Sequence, residues 1–544
     1  MSSKVAQYLN EHLLGEATTA DAIRKQFATD ASLLKIIPDM VVYPRTTSDI
    51  RKVARFAWQL SEKGHHLSLT PRGGGTDITG AAIGGGIVVN MLSHMNDIFE
   101  IDPKQRLVRL QPGVTYKTLN DALSLQGLMV PSYPSDASSS TIGGSIANNS
   151  RGILSGAYGT TGSWVAQLEV VLASGDVLQT GRISKRDVAR KKGQQDFEGE
   201  IYRGIDNLIN DNAELVASLA ADGIDNVGYN IAQVRKKDGS IDLAPLFIGS
   251  QGTLGVISEI IMRTTPRTVE PLVVALAFSD YDSLHDSLDQ LRALNPTVLE
   301  LLDGRLYEYA QERGKKYDFY KKVRKQNDVA AIVLAEFHGS SGRHKKKAGK
   351  QIIKLFKEDD RVTVEFESDT VSVDELRILA EVPSIAFSAN KVNEVAPPLL
   401  GGVFVPPEQY ERFTQAVAEL EKKYHLEIAL YGHAGQHVYF ARPIFNLSKV
   451  GDRQRVFKLL GEWTQIVASH GGHLVANGGE GRLKAPFAHK ELDEDLRELY
   501  DAVRTIFDPQ GILNTGVKQA SDLKTLVSAL RTDYDGADFA ARTA

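Results

Sequence analysis

Two histidines that could bind a metal or move a proton, His433 and His437, lie four residues apart in the stretch LYGHAGQHVYF (430–440). The glycines of this stretch and the β-prone residues that follow them favour a strand and a turn over a helix. Four residues along a strand separate two side chains by about 13 Å, whereas the bonds from a metal to its ligands are about 2 Å. We therefore expect at most one of the two histidines in any one site.

The composition limits the chemistry that the chain can use. At 544 residues with 42% hydrophobic and 24% charged content, it is typical of a globular protein of two or three domains. There is no cysteine, which excludes disulfides, thiolate nucleophiles and iron–sulfur clusters. Redox chemistry would therefore need a bound organic cofactor or a metal held by histidine and carboxylate groups.

The charge and the hydropathy pattern give no support for nucleic-acid binding or for a membrane-spanning segment. The net charge of −5 gives no support for nucleic-acid binding. No run of about twenty apolar residues predicts a transmembrane helix, and the first residues lack the order of a signal peptide. We expect a cytoplasmic protein and leave open a peripheral contact with a membrane.

The elements that would position a site follow an α/β pattern in the first half of the chain. The stretch from 39 to 131 alternates strands with amphipathic helices, and residues 164–180 predict a hairpin that turns at Ser174-Gly175-Asp176. Residues 246–263 predict a return to strands. A second α+β region begins near residue 270, where a strand is followed by a helix.

Two glycine-rich loops interrupt this pattern. PRGGGT (71–76) follows a strand, and its successive N–H groups could bind a diphosphate. It is not a Rossmann fingerprint, because the glycine spacing fails at Ile78 and a strand follows, and the chain has no P-loop motif. The second loop lies in PSYPSDASSSTIGGSIANNSRGILSGAYG (131–159), which is rich in hydroxyl groups and small residues. Together the loops predict a large dinucleotide lying between them.

The order of these motifs, continued by LEVVLASGDVL and LFIGSQGTLGVIS, resembles the FAD-linked oxidases of the vanillyl-alcohol oxidase (PCMH-type) superfamily. More narrowly it resembles their D-lactate, glycolate and 2-hydroxyglutarate dehydrogenase branch. The resemblance implies an α+β protein with a PCMH-type FAD-binding domain of two subdomains, a cap domain and a C-terminal segment that returns to the flavin. We expect the FAD-binding domain at 1–265, the cap at 266–460, the C-terminal segment at 461–520 and a tail at 521–544.

The matching motifs imply a set of residues that contact FAD. These are Arg72, Gly73, Gly74, Gly75, Thr76 and Gly80 at the diphosphate, Ser138, Thr141, Gly143, Gly144, Asn148 and Gly152 on the other side of the cofactor, and Ile257 and Asn514 at its ends. Relatives with covalent flavin have a histidine just after the glycines. Because Thr76 takes that place, we expect FAD to be bound non-covalently.

The resemblance also implies a metal site, built in this branch from the motifs G-H-x-G-D-G-N-x-H and G-E-H-G. A divalent ion there holds the hydroxy acid, a histidine takes the hydroxyl proton and the α-hydrogen leaves as hydride. This sequence keeps the first histidine as His433. The other expected ligand or base positions carry Phe440, Asn477 and Gly478.

Two interpretations follow from these departures. In one, a metal is bound at a rebuilt site by His433 with Glu480, His437 or His473; in the other, the site is metal-free and His433 or Glu480 is the base. Lys391 and Arg482 are candidates for pairing with the substrate carboxylate, although Arg482 could instead contact the flavin phosphates or a neighbouring loop.

We expect FAD-dependent oxidation of a 2-hydroxy acid, such as D-lactate or glycolate, to the 2-oxo acid. Without cysteine, the electrons would pass to an external acceptor such as a quinone, an electron-transfer flavoprotein, a cytochrome or oxygen. The alternatives are a metal-independent flavin oxidoreductase acting on another alcohol and a non-catalytic FAD-binding subunit.

Overall fold

The structure, a computed structural model, describes residues 2–134, 136–219, 224–267, 271–338, 342–367, 370–387 and 394–532. The chain forms two compact units. Unit 1 consists of Met1–Arg151, Thr160–Thr265 and Val475–Arg531, and unit 2 of Gly152–Gly159, Pro266–Leu474 and Thr532–Ala544. Lys391, predicted to contact substrate, lies outside the described residues.

Unit 1 contains a four-stranded sheet that supports the first glycine-rich loop. Its strands, in spatial order, are Glu16–Thr18, Met40–Tyr43, Ile87–Asn90 and Leu69–Arg72, of which the last three run parallel. Ile87–Asn90 is buried throughout, as expected of an apolar strand inside a parallel arrangement. The helix Thr47–Glu62 is capped at its N-terminus by Thr46, whose side chain accepts a hydrogen bond from Asp49 N–H.

A five-stranded antiparallel sheet forms the second layer of unit 1. Its spatial order is Ile98–Asp102, Leu107–Leu110, Val256–Arg263, Val165–Val171 and Val177–Gln179, and the predicted hairpin at 164–180 is confirmed. The strand predicted to start near residue 246 begins at Val256 instead. Pro245 and its neighbours form one helical turn, Ala244–Phe247, and Gly249, Gln251 and Gly252 have positive φ angles that break the extended backbone.

The other elements of unit 1 are mainly helices. They are Ser2–His12, Asp21–Gln26, Tyr116–Ser124, Ile142–Ala147, Lys185–Lys192, Phe197–Asp211, Ala213–Ser218, Glu494–Phe507 and Leu523–Ser528, with the short turns Thr161–Trp164, Ile231–Gln233 and Ala485–Ala488 and the short strand Leu128–Met129. The short strand Thr265–Pro266 lies where the chain passes into unit 2.

Unit 2 is built on a seven-stranded antiparallel sheet. Its spatial order is Val362–Glu367, Leu272–Phe278, Ala331–Phe337, Val298–Asp303, Leu430–His433, Val438–Ala441 and Val403–Phe404. The central strands Leu272–Phe278, Ala331–Phe337 and Val298–Asp303 are buried along their whole length. The sheet therefore provides a rigid base for the histidine stretch at its fifth and sixth strands.

Helices and short turns complete unit 2. They are Ser155–Tyr158, Tyr281–Ala293, Gly304–Glu312, Asp318–Arg324, Gly342–Phe356, Thr370–Arg377, Ile378–Glu381, Val382–Ala386, Pro407–Gln409, Tyr410–Tyr424, Ala434–Gln436 and Val450–Ser469, with the paired strands Glu394–Val395 and Phe445–Asn446. No helix within the described part of the chain is both long and apolar enough to cross a bilayer.

Candidate functional site

The glycine loop (residues 73–80) leaves the strand Leu69–Arg72 and packs against the serine loop (residues 136–144) of the same unit. A Cβ atom on Gly73 would lie 2.0 Å from Thr141 Oγ1, and one on Gly74 would lie 2.0 Å from the carbonyl oxygen of Ser139. Gly75 has a φ of +73°, which favours glycine. Larger residues at Gly73 and Gly74 would therefore push the two loops apart, and one at Gly75 would strain the backbone and meet the Arg72 side chain.

The glycine loop has the groups that an anionic diphosphate needs. Within the described residues, the N–H groups of Gly73, Gly74, Gly75 and Thr76 donate no hydrogen bond to the protein. The Arg72 side chain follows the loop back and donates to the carbonyl of Ala82 at 3.1 Å. Successive free N–H groups beside a guanidinium form a suitable site for phosphate oxygens. These residues therefore fit the diphosphate of FAD.

A chain of buried hydrogen bonds holds the glycine loop to three distant segments. Asn148 Nδ2 donates to the Asp77 carboxylate at 3.1 Å, and Gln251 Nε2 donates to Asn148 Oδ1 at 2.9 Å. The N–H of Gly481 donates to Gln251 Oε1 at 2.8 Å. Every donor in this chain points towards Asp77, which also accepts from the N–H of Thr79. The sequence analysis named Asn148 but missed Asp77, Thr79 and Gln251.

The C-terminal segment is tied into the same network. Asn514, fully buried, donates to the carbonyls of Ala81 at 2.8 Å and Gln251 at 2.7 Å. Arg482 is also buried, and its guanidinium donates only to backbone carbonyls: those of Gly80, Ile83 and Thr515. These bonds make Arg482 a structural link between loops, and its pairing with a substrate carboxylate stays a prediction.

The remaining predicted flavin residues lie in the two loops, in a strand of unit 1 and in unit 2. Thr141 is buried and caps the helix Ile142–Ala147 by accepting from Gly144 N–H at 3.2 Å, and a Cβ on Gly143 would lie 2.5 Å from Pro112. Gly80 and the exposed Ser138 also lie in the two loops, whereas Ile257 lies in the strand Val256–Arg263. Gly152 belongs to unit 2, where its carbonyl accepts from Gln436 Nε2 at 3.3 Å.

Replacing Gln251 with glutamate tests the hydrogen-bond chain. The new carboxylate could not donate to Asn148 or Thr79, so we expect the free energy of unfolding of the FAD-loaded chain to fall by about 1–3 kcal/mol. Thermal unfolding with and without added FAD measures this, and the exposed Gln126→Glu provides the matched control. Equal unfolding midpoints for the two variants would show that the chain does not support the fold of the cofactor loops.

Glu480, a predicted base, lies in a buried ion cluster of unit 1. Its side chain is 0% exposed, and Oε1 lies 3.3 Å from Lys518 Nζ and 3.2 Å from His489 Nε2. Burial opposes ionisation, but Lys518 and His489 outweigh it and hold the pKa of Glu480 below its ordinary value. A buried carboxylate beside the Lys518 ammonium and the His489 imidazole fits a structural role, and the role of Glu480 as the base stays a prediction.

His433 in unit 2 is held by a carboxylate that the sequence analysis missed. It faces Glu300 across the strands Leu430–His433 and Val298–Asp303, with His433 Nδ1 2.7 Å from Glu300 Oε1. The His433 side chain is 12% exposed and that of Glu300 is 7% exposed. When Glu300 accepts a hydrogen bond from Nδ1–H of a neutral His433, the lone pair of Nε2 can accept a proton. The signal in the sequence was Glu300, which stands between apolar residues in the strand VLELLD (298–303).

The predicted strand and turn around the two histidines are confirmed. Leu430–His433 and Val438–Ala441 form the histidine hairpin, joined by a 3₁₀ turn. Gly432 has a φ of +149°, and a Cβ there would lie 2.3 Å from the carbonyl of Val438. His437 follows the turn with a φ of +58°, and its Nδ1 is buried without a partner among the described residues. Burial, helped by Arg292, lowers the pKa of His437 to about 4.

The face of the hairpin that carries His433 is aromatic and basic. The ring of Phe440 meets that of His433 edge-on, with centroids 5.6 Å apart, and stacks on Tyr431 at 5.5 Å. Arg442 Nε donates to the hydroxyl of Tyr431 at 2.9 Å. Phe440 stands where the metal motif would supply its second histidine, and a phenyl ring cannot bind a metal in its place.

A second histidine–carboxylate pair lies on the same face of the sheet. Glu336 accepts from Arg377 at 2.6 and 2.9 Å, and its Oε2 lies 2.7 Å from His338 Nε2. Glu336 is opposite Val298, so it is the diagonal neighbour of Glu300 at about 7–8 Å. In the described part of the chain, no group of three or more histidine or carboxylate side chains is arranged to hold a metal ion.

Two family models match the chain. The FAD binding domain matches residues 38–181, and the C-terminal domain of FAD linked oxidases matches residues 270–517. The prediction of FAD as the cofactor is thereby confirmed, and the free N–H groups of the glycine loop agree with it.

Several curated proteins are similar to the chain. The glycolate oxidase subunit GlcD of Bacillus subtilis is 27% identical over 500 residues, which cover 91% of this chain and 92% of that protein. A D-lactate dehydrogenase of Archaeoglobus fulgidus is 26% identical over 88% of this chain and 90% of its own length. A D-2-hydroxyglutarate dehydrogenase of Pantoea ananatis is 26% identical over 92% of this chain, but the chain spans only 50% of it.

Solved structures show the fold. The 4-ethylphenol oxidase of Gulosibacter chungangensis aligns with a TM-score of 0.70 at 14% identity, covering 96% of this chain and 98% of that one. p-Cresol methylhydroxylase also aligns with a TM-score of 0.70 at 14% identity, covering 96% and 97%. The predicted α+β, PCMH-type fold is therefore confirmed.

Proposed function

The chain carries the FAD binding domain and the C-terminal domain of the FAD linked oxidases and is a FAD-dependent oxidoreductase, and from this premise we propose that it oxidises a 2-hydroxy acid to the 2-oxo acid. Similarity to a glycolate oxidase subunit and to D-lactate and D-2-hydroxyglutarate dehydrogenases supports this class of substrate. We expect acids of the D-lactate or glycolate type.

The observation that carries the proposal is the pair of His433 and Glu300. Oxidation of an alcohol removes a proton from oxygen and a hydride from carbon, so it needs a base near the hydroxyl group. Glu300 orients the imidazole and stabilises the cation that forms when Nε2 takes a proton. A histidine held in this way is suited to proton abstraction.

The proposed reaction removes one proton and one hydride from the substrate. The hydroxyl proton of the substrate passes to His433 Nε2, the C–H bond breaks with loss of a hydride, and a carbonyl group forms at C2. FAD, when bound at the glycine and serine loops, supplies the oxidising chemistry by accepting the hydride. The two electrons then leave to an external acceptor, which we propose to be a quinone, an electron-transfer flavoprotein, a cytochrome or oxygen.

Phe440 favours a reaction that does not need a metal, since it removes one of the ligands of the branch's metal motif. We expect turnover of 2-hydroxy acids, followed with the dye dichlorophenolindophenol as acceptor, to survive dialysis against EDTA with its kcat essentially unchanged. The control adds Zn²⁺ or Mn²⁺ back to the dialysed protein. Loss of activity on chelation and its return with metal would show that His433 belongs to a rebuilt metal site instead.

A further inference from the structure

Arg442 has a guanidinium that is fixed in position but keeps two of its nitrogens free. Nε donates to the Tyr431 hydroxyl at 2.9 Å, and the Cζ atom lies 5.7 Å from the centre of the Phe387 ring. Nη1 and Nη2 have no hydrogen-bond partner among the residues that the structure describes. The Arg442 residue as a whole is partly buried. Guanidinium nitrogens in this arrangement match the two oxygens of a carboxylate.

Two other arginines of unit 2 differ from Arg442 because their guanidinium groups pair with carboxylates. Arg305 pairs with Asp303 and Glu421 at 2.7 Å each, and Arg377 makes two hydrogen bonds to Glu336. These arginines are neutralised by neighbouring carboxylates. Among the described residues, no carboxylate pairs with Arg442, whose guanidinium contacts a hydroxyl group and a ring.

Arg442 shares a face of the histidine hairpin with the proposed base. Tyr431 and Phe440 are opposite each other in the hairpin, and His433 lies two residues from Tyr431, about 7 Å along the strand. Residues two apart on a strand point to the same side, and the bond from Arg442 to Tyr431 places the guanidinium there too. On this face the Phe440 ring contacts both His433 and Tyr431, and Arg442 reaches the hydroxyl of Tyr431.

We propose that Arg442 binds the carboxylate of the substrate and that Phe440 makes the site prefer hydroxy acids with an aromatic or bulky apolar side chain. This inference rests on the proposed function and specifies the substrate class for the same site. A phenyl group gains contact with the Phe440 ring that a methyl group or hydrogen cannot make. D-3-Phenyllactate is therefore expected to be a better substrate than D-lactate or glycolate.

The test measures binding of the oxo acids phenylpyruvate and pyruvate to the FAD-loaded full chain by titration calorimetry. We expect phenylpyruvate to bind the wild type about 10-fold more tightly than pyruvate. Arg442→Met should weaken both by about 10- to 100-fold, because two charge-assisted hydrogen bonds are lost. Phe440→Ala should remove the preference for phenylpyruvate over pyruvate.

Three further variants separate the role of Arg442 from general damage. Arg442→Lys keeps the charge without the two-pronged geometry and should recover part of the loss. Tyr431→Phe keeps the ring but removes the acceptor for Nε, so we expect a smaller loss of about 5-fold. Arg412→Met, on an exposed helix position of the same unit, is the matched control and should bind as the wild type does.

The outcomes distinguish this inference from the proposed function. Oxo-acid binding is measured on oxidised flavin and needs no turnover, whereas the proposed function fails only when no hydroxy acid reduces the wild-type flavin. Equal affinities of the wild type and Arg442→Met, or no binding of either acid to the wild type, would overturn the role of Arg442. Equal affinity of the wild type for the two acids would overturn the role of Phe440.

Discussion

Replacing His433 with glutamine is expected to slow reduction of the flavin by substrate by about 10²–10⁴-fold, the usual contribution of a general base. Glutamine fills a similar volume and can still donate to Glu300, but it cannot accept the hydroxyl proton. The rate is measured by stopped-flow absorbance under anaerobic conditions with saturating substrate. The FAD content should match that of the wild type, because His433 is not among the residues that we assign to binding of the cofactor.

His437→Asn is the matched control for His433→Gln. His437 lies in the same hairpin with a left-handed backbone, which asparagine tolerates, and its Nδ1 has no partner among the described residues. We expect this variant to reduce its flavin within about 3-fold of the wild-type rate, since no proton transfer is assigned to it. A wild-type rate for His433→Gln, or an equal loss for both variants, would contradict the assignment of His433 as the base.

Replacing Lys518 with methionine is expected to lower the free energy of unfolding by about 3–5 kcal/mol, the cost of breaking a buried ion pair. The substitution removes the lysine from the Glu480 carboxylate, which is 0% exposed, and leaves the His489 imidazole beside it. It also removes a cation 5.5 Å from the centre of the Tyr229 ring. Urea unfolding of the FAD-loaded chain, followed by flavin and tryptophan fluorescence, measures the change.

The double variant Glu480→Gln/Lys518→Met separates pairing from packing. Because the uncompensated charge is removed, we expect it to recover at least half of the stability that Lys518→Met loses. Lys524→Met, at an exposed position, controls for loss of a lysine. Because folding lowers the pKa of Glu480, the ion pair stabilises the fold at pH values above the ordinary carboxyl range. This stabilisation is lost as the pH falls through the pKa of Glu480 in the folded state. A stability of Lys518→Met that equals that of Lys524→Met would contradict the ion pair.

The flavin half of the molecule could be predicted from sequence because its signals are local. Three adjacent glycines after a strand, a run of small hydroxyl residues and the alternation of apolar positions each determine their own structure over a few residues. The same local rules correctly identified the strand and turn at the two histidines. They failed at residues 246–255, where proline and positive φ angles interrupt a run that looks β-prone.

The partners that give these residues their roles could not be predicted, because they come from distant parts of the chain. Glu300 precedes His433 by 133 positions, and Gln251 precedes Gly481 by 230. Neither pairing leaves a periodic signal in the sequence, since only the register of the sheet or the packing of a loop brings the residues together. The same holds for Arg482, because the sequence does not show that its guanidinium donates to the backbone carbonyls of Gly80, Ile83 and Thr515.

An anaerobic titration of the purified, FAD-loaded chain most directly tests the claim that it oxidises 2-hydroxy acids. Glycolate, D-lactate, D-2-hydroxyglutarate and D-3-phenyllactate would be added in turn, with and without EDTA, while the absorbance of the oxidised flavin near 450 nm is recorded. We expect at least one of these acids to bleach the oxidised-flavin absorbance in the presence of EDTA. We expect no bleaching on the same timescale in His433→Gln. An oxidised spectrum that persists with every acid, with or without added Zn²⁺ or Mn²⁺, would contradict the claim.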